Sequence, residues 1–364
     1  MIDYMKFTFM CREKTSINNY KIAIIGAGPA GLAAAGYLSC KGYNVFMYDK
    51  QPLAGGLMLF AIPSWRIPLE NVLKGIDELR DKFGVVFFLK TKVYSGSDKH
   101  EEGDDFVEHK ISLEEVIDKY DAVLITTGTW LSSIPNLTGV ESKGVYTALE
   151  YLYRFKTYEL KLTNEKPPYA DRVVVIGGGY SAIDAAEQAL RTGAESYLVY
   201  RRTIKEAPAG VFEIKRIERE GVNFIELASP IEIVSSGGSV RGVKFQKMQL
   251  GPPDESGRPK PIPIPGSEFI IETDLVIFAT GEKSTPPIDQ GSKDLLDKLG
   301  IRLNKYGSIE VNELMQTGNP KVFAAGDVVN GPTRIGPAIK SGLYAAKYLD
   351  NWIQTKTLKP VPQL

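Results

Sequence analysis

A short apolar strand, a glycine-rich turn and an Ala-rich helix follow one another in "KIAIIGAGPAGLAAAGYL", Lys21 to Leu38, and the pattern begins again at Val173 in "VVVIGGGYSAIDAAEQAL". A continuous apolar run of strand length that switches to helical periodicity is the mark of a parallel strand with its crossover helix. Each copy is continued by a second strand, "YNVFMYD" and "SYLVYRR", and each is closed later by an apolar strand ending in Thr-Gly, "YDAVLITTG" and "TDLVIFATG". At 364 residues the chain exceeds the usual size of one hydrophobic core. The duplication therefore predicts an α/β protein with two Rossmann-like, three-layer units.

With 35 glycines in 364 residues, a G-x-G-x-x-G match arises by chance roughly a third of a time, so the flanking strand and helix carry the argument. In "IIGAGPAG" Gly26 allows the tight turn, Gly28 removes a side chain that would collide with a pyrophosphate, and Gly31 lets helix and strand pack closely. The helix N-terminus offers free N–H groups and partial positive charge to phosphates. Asp49 ends the next strand, where a carboxylate accepts hydrogen bonds from ribose hydroxyls.

In "IGGGYSA" Gly177, Gly179 and Ala182 take the same roles. Where Asp49 sits in the first unit, the second has Arg201 and Arg202. A carboxylate there would repel a 2′-phosphate, whereas guanidinium groups pair with it bidentately, which points to NADP(H) over NAD(H). Two different nucleotide sites imply a relay, FAD in the first unit and NADPH in the second, with a hydride passing from nicotinamide to flavin N5. Such chemistry belongs to the cofactors, so no catalytic side chain is expected.

Forty-four basic and 44 acidic residues balance to zero net charge, which gives no electrostatic case for nucleic acid or an anionic membrane. No apolar run approaches the roughly 18 residues of a membrane span, and "MIDYMKFTFMCREK" has no signal-peptide core, so a cytoplasmic protein is expected. Cys11 and Cys40 are the only cysteines; their spacing fits neither a disulfide framework nor a metal site and reads as two free thiols. His100 and His109 lie in the charged stretch "SGSDKHEEGDDFVEHK", read as a solvated loop or hairpin tip, and no metal is expected. Leu69, Val72, Leu73, Ile76 and Leu79 share one helical face, Ser112 with Glu115 forms a capping box, and "SSGGS" reads as a hairpin turn.

The ordered series "GAGPAG", "GGLMLFAIPSWRIP", "YDAVLITTG", "GGGYSAIDAA", "VYRRT", "LVIFATG" and "VFAAGDV" resembles the flavoproteins with two dinucleotide-binding domains, in particular the small (beta) subunit of glutamate synthase and related NADPH-dependent FAD oxidoreductases. The resemblance covers nearly the whole chain after residue 18. It implies that Gly56, Leu57 and Arg66 contact the FAD, that Thr127 and Gly128 lie against it, and that Asp327, after Gly326, bonds the ribityl chain. It also implies that the helix beginning near Pro337 and Ala338 points its positive end at the flavin. Pro29, Ala30, Lys50 and Val93 complete the FAD set, and Tyr180, Ser181, Thr280 and Gly281 the NADPH set.

Because Asp327 follows the second unit yet serves the first, the layout expected is an N-terminal extension over 1–18, an FAD-binding domain over 19–160 and 286–364, and an NAD(P)H-binding domain inserted over 161–285. Glutamate synthase-like members carry an N-terminal Cys-rich iron–sulfur domain, which this chain is expected to lack. The chain also has Tyr180 where those members carry Asn or Asp, a ring that could stack near the nicotinamide or obstruct it.

Two functions follow. The first is an FAD-dependent NAD(P)H oxidoreductase that passes electrons to a protein or small-molecule acceptor, as a homodimer or as one component of a larger complex. The second is a flavin electron-transfer protein, similar to the flavin-bearing component of heterodisulfide reductase and not itself reduced by NADPH.

Overall fold

The computed structural model describes residues 5–14, 17–97, 99–254 and 257–355. β1 (Lys21–Ile25), α1 (Pro29–Cys40), β2 (Asn44–Tyr48), α2 (Leu69–Asp77), β3 (Val86–Phe88) and β4 (Ala122–Ile125) follow in order. α2 forms on the apolar face expected for it, burying Val72 and Ile76, with Leu79 buried in the wider turn after it. Ser112 and Glu115 make the reciprocal capping box ahead of the Leu113–Lys119 helix.

The chain divides into two compact units, Met1–Leu131 with Glu282–Leu364, and Ser132–Gly281. The first crossing thus lies well before the expected boundary at residue 160, and the second at 281 instead of 285. The reason is β5 (Val145–Thr147), which pairs in parallel inside the second unit and leads directly into α3 (Ala148–Glu159). The Pro-bearing stretch after α3 is a connection within that unit.

The second unit continues with β6 (Arg172–Ile176), α4 (Tyr180–Arg191), β7 (Glu195–Val199), α5 (Gly210–Glu220) and β8 (Asn223–Ile225). Then come β9 (Ala228–Ser236), β10 (Ser239–Pro253), β11 (Pro259–Glu272) and β12 (Leu275–Phe278). Its parallel sheet has the order β8-β7-β6-β12-β5, and β9-β10-β11 form an antiparallel meander. Gly237 and Gly238 turn the β9–β10 hairpin with φ of 60° and 76°, the left-handed pair such a turn requires. Val174, Val199, Val243, Phe245 and Val276 are among the core residues here.

β13 (Val322–Ala324) and α6 (Ile335–Thr355) return the chain to the first unit, whose parallel sheet has the order β13-β4-β1-β2-β3. α1 is buried on every side from Ala30 to Cys40, which its small residues permit. At Gly342 of α6 a Cβ would collide with the Ala30 carbonyl, and at Gly36 of α1 one would collide with the Phe7 carbonyl. Asp350 of α6 accepts hydrogen bonds from Tyr37 and Tyr43 at 3.2 and 2.8 Å. Residues 5–8 are packed against this unit: Phe7 and Thr8 are buried, and the Met5 amide donates to the Asn71 carbonyl at 3.0 Å, while Phe9 and Met10 are exposed. This path carries Cys11 to the end of α1, where it forms a disulfide with Cys40, the Cα atoms 5.8 Å apart. The expectation of two free thiols is corrected: proximity comes from the Gly36 groove, which the sequence spacing does not reveal.

Candidate functional site

At the first turn Gly26 has φ of 103°, and a Cβ there would strike the Thr126 backbone. Its amide donates to the Tyr48 carbonyl at 2.8 Å, and the Thr126 hydroxyl donates to its carbonyl at 2.8 Å. Gly31 sits on the Gly26 carbonyl. Gly28 differs: its backbone is extended, and a Cβ would meet no atom within 4 Å. The turn therefore needs glycine at 26 and 31 for its own packing. Gly28 borders open space before Pro29 and Ala30, the first residues of α1, which is the cradle a pyrophosphate would fill.

The Asp49 carboxylate is anchored beside this turn by backbone N–H groups of Ala27 at 2.6 Å and Gln51 at 2.8 Å. Two of its roughly four lone-pair sites remain for other donors. Burial pushes its pKa up, against those N–H groups and the Lys50 charge. A cavity of about 40 Å³ is bordered by Gly26, Asp49, Lys50, Val93, Thr127 and Trp130.

Lys50 borders the cavity with its ammonium bonded within the protein. Its ammonium donates to Glu101 at 2.8 Å, Asp104 at 3.0 Å and the Glu102 carbonyl at 2.9 Å, and lies over the Trp130 ring. Its role is to pin the 101–104 loop beside the cavity, because three acceptors converge on it.

The loop before Leu57 folds over the glycine turn. The Gly55 amide donates to the Ala27 carbonyl at 2.8 Å, and a Cβ on Gly56 would lie 2.7 Å from the Gly28 Cα. Arg66 lies half-buried farther along, its amide bonded to the Pro63 carbonyl. Thr127 donates to the Thr285 carbonyl at 2.6 Å, and the Thr285 amide to the Gly128 carbonyl at 3.0 Å. Thr126 and Thr285 are additions to the residues expected from sequence; Thr126 stands next to Thr127 in "ITTG", whereas Thr285 carries no local signal.

Asp327 is brought to the same end of the sheet. A Cβ on Gly326, whose φ is 76°, would lie 2.9 Å from the Ala30 Cβ, and the Gly326 amide donates to Ser341 of α6 at 3.0 Å. Thr333 donates to the Asp327 carboxylate at 2.5 Å. Burial raises the Asp327 pKa, with the Thr333 bond pulling the other way. Pro337 and Ala338 fall in the first turn of α6, Pro337 exposed and Ala338 buried.

The second turn repeats the first. Gly177 donates to the Val199 carbonyl at 3.0 Å and would clash with the Ala279 carbonyl if it carried a Cβ, whereas Gly179 borders open space. Tyr180 is exposed at the start of α4, Ser181 is half-buried, and Ala182 is buried. The Thr280 hydroxyl donates to the Ser133 carbonyl, and the Ser133 amide donates to the Gly281 carbonyl.

Register corrects the expected position of the arginines. Ile25 pairs with Tyr48 and Ile176 with Val199, so the counterpart of Asp49 is Tyr200, and the arginines stand one and two residues beyond. The Tyr200 ring packs over Gly178, where a Cβ would lie 2.6 Å from it, and its hydroxyl donates to the Glu206 carbonyl at 3.0 Å. Arg201 is exposed. Arg202 is only 1% exposed, donating to Asp254 at 2.5 Å and to the Pro259 carbonyl at 2.7 Å. The fold thus separates two arginines that form a pair in the sequence.

Among the described residues no cluster suited to a metal ion occurs, and no helix is long and apolar enough to cross a membrane. The disulfide lies at the C-terminal end of α1, about 16 Å from the glycine turn at 1.5 Å per residue.

Over 346 residues the chain is 35% identical to the glutamate synthase (NADPH) small chain of Escherichia coli K12, covering 92% of this chain and 69% of that one. It is 35% identical over 353 residues to the NADP(+)-dependent formate dehydrogenase subunit beta of Moorella thermoacetica, covering 96% and 46%. The chain spans about half the length of the latter and of several other curated relatives. In fold it matches FprA of Mycobacterium tuberculosis in complex with NADPH, with a TM-score of 0.71 at 19% identity over 95% of this chain and 88% of that one. Lactococcus lactis thioredoxin reductase matches with a TM-score of 0.64 at 20% identity over 92% and 99%. The profile for pyridine nucleotide-disulphide oxidoreductases matches residues 20–342, across both glycine turns and the Gly326–Asp327 step, and the chain belongs to that family.

Proposed function

We propose that the chain is an FAD-dependent NAD(P)H oxidoreductase: FAD held by the unit containing Gly26, Gly28, Asp49 and Asp327, and NADPH by the unit containing Gly177, Gly179 and Arg201. One observation carries this reading. Gly28 and Gly179 each border open space at a helix N-terminus, whereas the glycines flanking them are filled by protein. A bound flavin would supply hydride acceptance and electron release. The chain's own contribution is to position: α1 and α4 direct N–H groups at pyrophosphates, Asp49 accepts from ribose hydroxyls, and Arg201 faces a 2′-phosphate where no carboxylate repels it. Tyr200 in place of an acid favours NADPH over NADH for the same reason.

The acceptor lies outside this chain's own residues and is a protein or small molecule reached in a homodimer or a larger assembly. The names of two relatives, NADP(+)-dependent formate dehydrogenase subunit beta and NADPH-Fe(3+) oxidoreductase subunit beta, support membership in a complex. The cytoplasm, where NADPH is supplied, is the proposed location. Anaerobic addition of NADPH should bleach the flavin absorbance quickly and NADH slowly. Arg201→Gln should raise the KM for NADPH by roughly ten- to a hundredfold, the worth of a charge-assisted bond, and leave that for NADH nearly unchanged. A flavin reducible by dithionite but by neither nucleotide would favour the electron-transfer protein, with the exposed Tyr180 ring at the start of α4 as the obstruction.

A further inference from the structure

The β10–β11 hairpin is long, 15 and 14 residues, and its far end does not project freely. Asp254 and Pro259, at the end of the hairpin, bind the Arg202 guanidinium through the Asp254 carboxylate and the Pro259 carbonyl. Its near part is stitched to the same loop: the Leu227 amide donates to the Arg202 carbonyl at 3.2 Å, and the Met248 amide to the Leu227 carbonyl at 2.7 Å. Leu227 holds φ of 56° to make both bonds, a conformation that costs a residue with a Cβ about 1 kcal/mol or more and persists only where its surroundings fix it. Two residues past the register position that faces the ribose, a guanidinium has been taken up by an acid from a different part of the sequence.

The Asp254 carboxylate compensates the charge of Arg202, and with 1% of its surface exposed the guanidinium is withheld from a 2′-phosphate while it stays in this position. Resting on the NADPH reading above, we propose that Asp254 is a specificity-determining residue: by claiming Arg202 it leaves Arg201 as the arginine of this pair that meets the 2′-phosphate, and so limits how strongly the site prefers NADPH. The sign follows from two effects that act together. Without the Asp254 charge, Arg202 is released to bind phosphate, and even if it stays in place its uncompensated charge raises the positive potential beside Arg201.

The test is binding of 2′,5′-ADP and 5′-AMP to the full-length holoprotein by calorimetry. Asp254→Asn keeps a side-chain oxygen for Arg202 but removes the charge. It should bind 2′,5′-ADP about tenfold more tightly, one charge-assisted bond gained, with 5′-AMP unchanged. The double variant Asp254→Asn with Arg202→Gln should lose that gain. Should Asp254→Asn fail to fold, joining Gln249 to Ile262, which are register partners, through an Asn-Gly turn removes Asp254 with the hairpin end and must give the same sign. Unchanged or weaker 2′,5′-ADP binding in these variants, or a gain that survives Arg202→Gln, overturns the proposal. So does wild-type binding of 2′,5′-ADP that Arg202→Gln weakens as much as Arg201→Gln does. Failure of the wild type to bind 5′-AMP as well would instead refute the nucleotide site itself.

Discussion

Gly342 of α6 lies against the backbone carbonyl of Ala30 in the first turn of α1. This contact joins the C-terminal helix to the glycine turn and puts Asp327 and Asp49 in one unit. Because a backbone atom, and not a flexible side-chain end, opposes the missing Cβ, Gly342→Val has no room to relax. It should destabilise the protein by about 3 kcal/mol, in the range of overpacked cores, and lower its flavin content. A variant melting at the wild-type temperature with full flavin would show that α6 can shift without loss.

Gly28 and Gly31 should respond differently although both belong to one motif. Gly31→Val meets the Gly26 carbonyl and should unfold or aggregate, whereas Gly28→Val, with an extended backbone and open space, should fold normally and purify colourless. Gly179→Val should keep its flavin and lose reduction by NADPH. Circular dichroism and the visible spectrum together separate these outcomes; a yellow, reducible Gly28→Val protein would refute the FAD assignment.

Flavin affinity should depend on pH through Asp49. Burial holds its pKa above the ordinary carboxylate value, while ribose hydroxyls donating to it would favour the ionised form. Binding therefore releases a proton over the range between the lowered holo pKa and the raised apo pKa, and FAD affinity rises with pH until the apo pKa is passed. Apoprotein reconstitution should weaken on acidification already above the usual carboxylate range. Asp49→Asn should reduce the slope and leave the part due to the buried Asp327; an equal slope in that variant would assign the titration elsewhere.

Cys11→Ser should affect stability and leave the redox chemistry intact. The disulfide ties residues 5–14 to the far end of α1, and loss of such a crosslink costs about 2–4 kcal/mol. The thermal midpoint should fall, with NADPH-dependent bleaching of the flavin unchanged. Loss of bleaching with the flavin still bound would instead make the cysteine pair part of the electron path.

The two glycine turns, their helices and the strands beside them were legible in the sequence because they are local. A strand running into a glycine turn and helix is specified within some twenty residues, and Gly31 is dictated by the Gly26 carbonyl five residues before it, whereas the atoms that exclude a Cβ at Gly26 and Gly177 belong to the distant Thr126 and Ala279. What depended on pairing across long separations was not. The first unit boundary moved to Leu131/Ser132 because β5 pairs with β12, strands 130 residues apart by their first residues, Val145 and Leu275. The Cys11–Cys40 bond required the Gly36 groove, and the fate of Arg202 required a carboxylate at 254. Sequence determined which residues could hold dinucleotides. Tertiary structure decided which of them face open space and which are spent on holding the protein together, since burial and charge pairing are settled only when distant segments meet.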